Sequence, residues 1–133
     1  MVDETENVVG IEDDRLLHLK PGETLFSEGD EGDSAYYIQS GAIEVTRKIG
    51  SAEVVITLEQ EGGIVGEMAL IDNQPRSATA RAVEVTTLVV VPKSQFETYL
   101  EGTDPVIRRL LERFVTIIRS ITAEKVRLIL GIR

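Results

Sequence analysis

From Leu19 to Val91 the apolar residues fall in short runs, each broken by Gly, Asp, Asn or Pro. YYIQSGAIEV reads as two strands joined through Gly41, and a short strand or helix starts near Leu16. In the second of the two, Ile43 and Val45 alternate with Glu44 and Thr46, the period of a half-buried strand. Val54 to Leu58 is rich in β-branched residues, and Val83 to Val91 is a longer run of the same kind, closed by Pro92. Many short strands with turn residues between them predict an antiparallel sandwich, jelly roll or barrel.

After Pro92 the period changes. SQFETYLEG predicts a short helix, with Ser94 as N-cap and Gly102 as its stop. A second helix starts at Thr103 or Asp104 as cap, with Pro105 at its first position. Ile107, Leu110, Leu111, Phe114, Ile117, Ile118 and Ile121 follow in steps of three and four, and Val106 and Val115 widen the stripe. A stripe that broad is expected to pack on two sides, against the β domain and against a partner helix. The expected organisation is an acidic arm over 1–14, a β-roll over 15–102 and a C-terminal helix over 103–133 that serves as lid and dimerisation element.

Composition narrows the function. The chain has 133 residues, one domain's worth, with an ordinary globular share of apolar and charged positions. Its formal net charge is −9, with 14 basic residues and no basic run. Duplex DNA is held through Lys and Arg on phosphates, so nucleic acid is a poor partner. No apolar stretch is long enough to cross a membrane, and the N-terminus lacks the layout of a signal peptide. There is no cysteine. The reading is a cytoplasmic protein. His18 is the single histidine, so neither a His-rich metal site nor a Ser-His-Asp set can be assembled, and no catalytic role is expected.

One stretch does not fit a plain β domain. GEMALIDNQPRSATA, from Gly66 to Ala80, sets Glu67 and Arg76 among small residues. Two such charges can make a surface ion pair worth about 0–1 kcal/mol. They also suit a small polar anion. A carboxylate accepts from a hydroxyl, and a guanidinium presents its planar fork to two phosphate oxygens. EMALI, residues 67–71, reads as one or two helical turns, so the N–H groups near Gly66 face a site favourable to phosphate. Pro75 fixes the chain before Arg76, Ser77 adds a hydroxyl, and Ala69 and Ala78 leave room.

Two motifs resemble the cyclic nucleotide-binding domain family, of the catabolite activator and kinase regulatory subunit type. PGETLFSEGDEGDSAYYIQSG, from Pro21 to Gly41, has turn glycines at Gly22, Gly29, Gly32 and Gly41; GEMALIDNQPRSATARA, from Gly66 to Ala82, looks like that family's phosphate-binding cassette. The resemblance spans roughly Leu16 to Leu130. It implies a mainly β fold, an antiparallel β-roll or jelly-roll barrel (a double-stranded β-helix), with a short phosphate-binding helix inside it and helices at the C-terminus. It implies a cyclic nucleotide ligand, cAMP favoured over cGMP, and no cofactor or metal. The implied binding residues are Gly66, Glu67, Met68, Ala69, Arg76, Ser77 and Ala78, with Glu67 on the ribose 2′-OH and Arg76 on the phosphate. SITAEKV resembles the helix segment that meets the base; Thr122 then reads either as a base-edge hydroxyl or as a small residue at a helix interface. The position after it is Ala123, where a second hydroxyl is usual, and Val65 and Phe26 also depart from the family's pattern. No helix-turn-helix follows. The implied function is a stand-alone receptor that signals through its C-terminal helix to a further protein, as a homodimer. The alternative is a degenerate domain that docks or dimerises without nucleotide.

Overall fold

The computed structural model describes residues 15–131; the predicted acidic arm over 1–14 lies outside the described residues. The described residues form eight strands: β1 Leu16–Leu19, β2 Thr24–Phe26, β3 Ser34–Ser40, β4 Ala42–Ile49, β5 Ala52–Gln60, β6 Ile64–Val65, β7 Thr79–Ala82 and β8 Thr86–Pro92. Helix α1, Glu67–Asp72, lies between β6 and β7. Helices α2, Lys93–Glu101, and α3, Pro105–Ile129, follow β8.

The strands form two four-stranded antiparallel sheets, in the orders β1-β8-β3-β6 and β2-β7-β4-β5. This is the predicted jelly roll, and the two sheets do not close into a barrel. Leu19, Ile38, Val65 and Leu88 from the first sheet meet Ile43, Ala80 and Ala82 from the second in one buried cluster. The alanines of β7 let the sheets approach, and the larger residues of the facing sheet fill the gap.

Several local expectations hold. Gly41 joins β3 to β4, and Val54 to Leu58 lies within β5. Asp104 caps α3, its carboxylate accepting from the Val106 N–H at 2.8 Å, with Pro105 in the first turn. Four need correction. The run from Val83 to Val91 is not one strand: Val83 and Val85 are exposed in a bend, and only Thr86 onward forms β8. The chain crosses from one sheet to the other there. The predicted in-out alternation in β4 does not hold at Thr46, which is 2% exposed; there the ladder to β5 shifts register, with Ile56 of β5 as the extra residue. Helix α2 starts two residues early, with Pro92 in the cap position and no side-chain cap bond, so Ser94 is inside the helix. Gly32 does not adopt the positive φ of a turn glycine. A Cβ there would stand 2.7 Å from that of Ala69 and 3.2 Å from Cζ of Arg76, so its role is close approach.

On α3 the apolar stripe divides. Val115 and Val126 are buried against the rest of the molecule, while Ile107, Leu110, Phe114, Ile117 and Ile121 stay at least 40% exposed. No helix among the described residues is long and apolar enough to cross a membrane.

Candidate functional site

Strand β6 ends at Gly66, whose φ of 82° is open to glycine and strained for other residues. That left-handed step turns the chain from the sheet directly into α1. The helix is one to two turns long, as predicted, and buries Ala69 and Leu70. Asn73, at φ 57°, ends it, its N–H donating to the Ala69 carbonyl. The loop then returns past Pro75 to Arg76, which is 4% exposed.

The Arg76 guanidinium is held on three sides. Nη1 donates to the Gly66 carbonyl and Nη2 to the Ser34 carbonyl, each at 2.6 Å. The Phe26 ring centre lies 4.1 Å from Cζ. Nε is buried and has no hydrogen-bond partner. The expected free fork is therefore spent on backbone carbonyls. A cation taken out of water must find acceptors, and these two are the ones the β3 and β6 ends supply. Burial pulls the guanidinium's pKa down; the Tyr36 hydroxyl, Asp33, Asp30 and Glu67 act the other way.

Glu67 heads α1. Burial raises its pKa, and nearby Glu59 raises it further; its own backbone N–H and Arg76 oppose the shift. Among the described residues the ion pairs are Arg81–Glu53, Arg119–Asp72 and Arg127–Glu124, so Glu67 and Arg76 are not paired with each other. A surface ion pair does not explain them.

A cavity of about 290 Å³ opens beside these groups. Gly66, Glu67, Met68 and Ala69 line it from the start of α1. Arg76, Ser77 and Ala78 line it from the following loop, and Thr122 lines it from α3. All eight residues singled out in the sequence thus meet in one space. Its size is at the lower end for small-ligand pockets, roughly 300–1,000 Å³. The unpartnered Nε–H of Arg76 and the desolvated carboxylate of Glu67 suit an anion that also carries a hydroxyl.

Other lining residues were not anticipated. Phe26 from β2, Thr57 and Glu59 from β5, and Ile118 and Arg119 from α3 are also in the wall. Arg119 ties the two helices together: its Nε donates to Asp72 Oδ2 at 2.6 Å and its Nη2 to Oδ1 at 3.1 Å. Lys125 adds a bond from Nζ to the Ile56 carbonyl at 3.0 Å. For Arg119 a signal was present: it stands three positions before Thr122, on the same face of a helix.

Residues 16–103 match the family model described as the cyclic nucleotide-binding domain. A cAMP-dependent protein kinase regulatory subunit from Yarrowia lipolytica is 38% identical over 94 residues, covering 71% of this chain and 24% of the subunit. Among solved structures, the cAMP-bound form of the EAL enzyme Bd1971 aligns with a TM-score of 0.76 at 36% identity, covering 85% of this chain and 30% of that one. The cGMP-bound form of the same enzyme aligns with a TM-score of 0.74 at 38% identity, over 78% and 28%. The chain therefore spans about a quarter to a third of these relatives.

Proposed function

The chain belongs to the cyclic nucleotide-binding domain family, and on that footing we propose that it is a cyclic nucleotide receptor that binds cAMP in preference to cGMP and signals through α3. The observation that carries this reading is the convergence of Glu67, Ser77 and Arg76 on one cavity that α3 also lines. The phosphodiester lies against the Arg76 cation and takes the Ser77 hydroxyl. The ribose 2′-OH donates to Glu67. Ala69 and Ala78 leave space for the sugar, with Gly66 and Met68 beside it, and Thr122 meets the base edge. The domain binds and does not catalyse.

Binding reaches α3 through contacts already present. Asp72 at the end of α1 grips Arg119, so a shift of α1 toward the phosphate pulls on the roof helix. A ligand that contacts α1 and α3 differently in two arrangements biases their balance. The open apolar stripe of α3 is the surface on which a second copy, or a downstream protein, reads that change.

Thermal unfolding with cAMP or cGMP at millimolar concentration tests the reading. A ligand at about 100 times its Kd adds about 2.7 kcal/mol to the folded state. For a domain of this size that raises Tm by several degrees. A shift, larger with cAMP, is expected. No shift with either, in protein freed of carried-over nucleotide, moves the domain to a docking or dimerisation role without nucleotide.

A further inference from the structure

Arg76 is fixed in its plane by the Gly66 and Ser34 carbonyls. Those two bonds leave one degree of freedom poorly restrained, the tilt of the plane, and it decides where Nε points. The Phe26 ring lies over Cζ and covers that face. Phe26 is itself held. A bulge in β2 between Thr24 and Phe26 sets it opposite Ala80, and the ring rests on the core cluster together with Tyr36. The two rings are stacked, 6.2 Å between centres and 28° between planes. The ring also closes on Gly66, where an added Cβ would come within 3.1 Å of Phe26 Cε2 and 2.6 Å of Arg76 Nη1.

We propose that Phe26 is a positioning residue for anion binding: its ring clamps the Arg76 guanidinium in the orientation in which Arg76 lines the cavity. The proposal rests on the receptor reading for the identity of the anion, a cyclic phosphodiester, but the clamp itself does not depend on it. The attraction of a guanidinium to a ring face is electrostatic and grows when both are desolvated. Here Arg76 as a whole is 4% exposed. An aliphatic side chain at position 26 would fill space yet offer no such face. The guanidinium would then tilt, and part of the binding energy of the phosphate would go into restoring its geometry.

The test uses the full chain and three variants: Phe26→Leu, Phe26→Met and Phe26→Tyr. Two readouts are taken. The first is the Arg76 Nε–H resonance in protein without nucleotide, where a proton held above a ring is displaced upfield. The second is cAMP affinity by calorimetry. The expected result is an upfield-shifted resonance in the parent and in Phe26→Tyr, lost in Phe26→Leu and Phe26→Met. Affinity should fall about 3- to 30-fold in the two aliphatic variants and stay within about twofold of the parent in Phe26→Tyr. Tight binding by Phe26→Met, or equal loss in Phe26→Tyr and Phe26→Leu, overturns the proposal, because packing alone then accounts for position 26. A parent that ignores cAMP overturns the receptor reading instead. In that case an unshifted parent resonance still refutes the clamp, and a shifted one that Phe26→Met abolishes sustains it.

Discussion

Replacing Arg76 by alanine should weaken the fold itself, apart from any effect on a ligand. The guanidinium satisfies two carbonyls, Gly66 and Ser34, with bonds of 2.6 Å. Alanine leaves both without a donor. A buried acceptor stripped of its partner costs about 1–3 kcal/mol, so two give about 2–6. Part of this is returned, because the parent buries a cation whose Nε is unpaired, and water can enter from the cavity side. A net loss of about 2–4 kcal/mol is expected, which is large for a point substitution. Urea unfolding reads it directly: with a slope of about 2 kcal/mol/M, the midpoint falls by roughly 1–2 M. Arg76→Lys, which can reach one carbonyl, should lose about half as much. If Arg76→Ala unfolds at the parent's midpoint, the guanidinium does not support the β3 and β6 ends, and its hydrogen bonds are incidental. The affinity loss of this variant, about 2–5 kcal/mol for removing one partner of a desolvated charge pair, must be measured where the variant is fully folded.

Glu67→Gln should act in opposite directions on stability and on binding. The folded-state pKa of Glu67 is raised, chiefly by burial, so the folded chain holds this proton more tightly than the unfolded chain. Stability therefore falls as pH rises from the unfolded carboxylate range through the folded pKa, and the penalty is fully present above it. Glutamine should make the nucleotide-free protein more stable at pH 7 and flatten that slope in urea titrations from pH 4 to 8, while cAMP affinity drops by about 1–3 kcal/mol; a variant no more stable than the parent at pH 7 refutes the assignment. Asp72→Asn cuts the Arg119 fork, whose side chains are about one-fifth exposed. It should loosen α3 by about 1 kcal/mol, seen as faster amide exchange in α3 with the β-roll unchanged; equal protection in both proteins would count against the tie. Phe114→Glu puts a charge in the middle of the open stripe of α3 and should convert a dimer to monomer by sedimentation, leaving the melting curve of the monomer intact. A parent that is monomeric at all concentrations removes the second copy as the occupant.

The sequence was most legible where one residue type has one mechanical use. Gly41 and Gly66 sit where the chain needs positive φ, and Asp104-Pro105 starts a helix with a cap and a preset turn. The cassette from Gly66 to Ala82 brought seven of the eight positions to one cavity because its spacing encodes a strand end, a helix and a return loop, and Thr122 joins them from α3. Failures came where tertiary geometry decides. Val83 and Val85 carry strand-forming side chains, yet they are exposed in a crossing between sheets that no Gly or Pro marks. Thr46, read as an outward position, is buried beside a register shift in the ladder to β5. Phe26 and Arg119 act on groups far along the chain, and neither periodicity nor composition relates position 26 to 76 or 72 to 119.

The two charges in the cavity are kept from neutralising one another, and this bears on how an acidic chain can hold an anion. With a formal net charge of −9, the molecule as a whole repels a phosphate. A direct Glu67–Arg76 pair would make matters worse, since a ligand would have to break it before using either group. The structure instead gives Arg76 neutral partners, the Gly66 and Ser34 carbonyls, so its positive charge is solvated by dipoles and not cancelled. Glu67 is left desolvated, with its pKa raised. Both groups are thus costly to the fold, and both costs fall when one ligand offers a negative oxygen to the first and a hydroxyl proton to the second. That coupling favours a molecule carrying the two groups at a fixed separation over inorganic phosphate or a neutral sugar, each of which relieves only one of the two. In the proposed receptor, selectivity for a cyclic phosphodiester joined to a ribose therefore starts from the placement of Glu67 and Arg76 on one cavity, before the base is read at all.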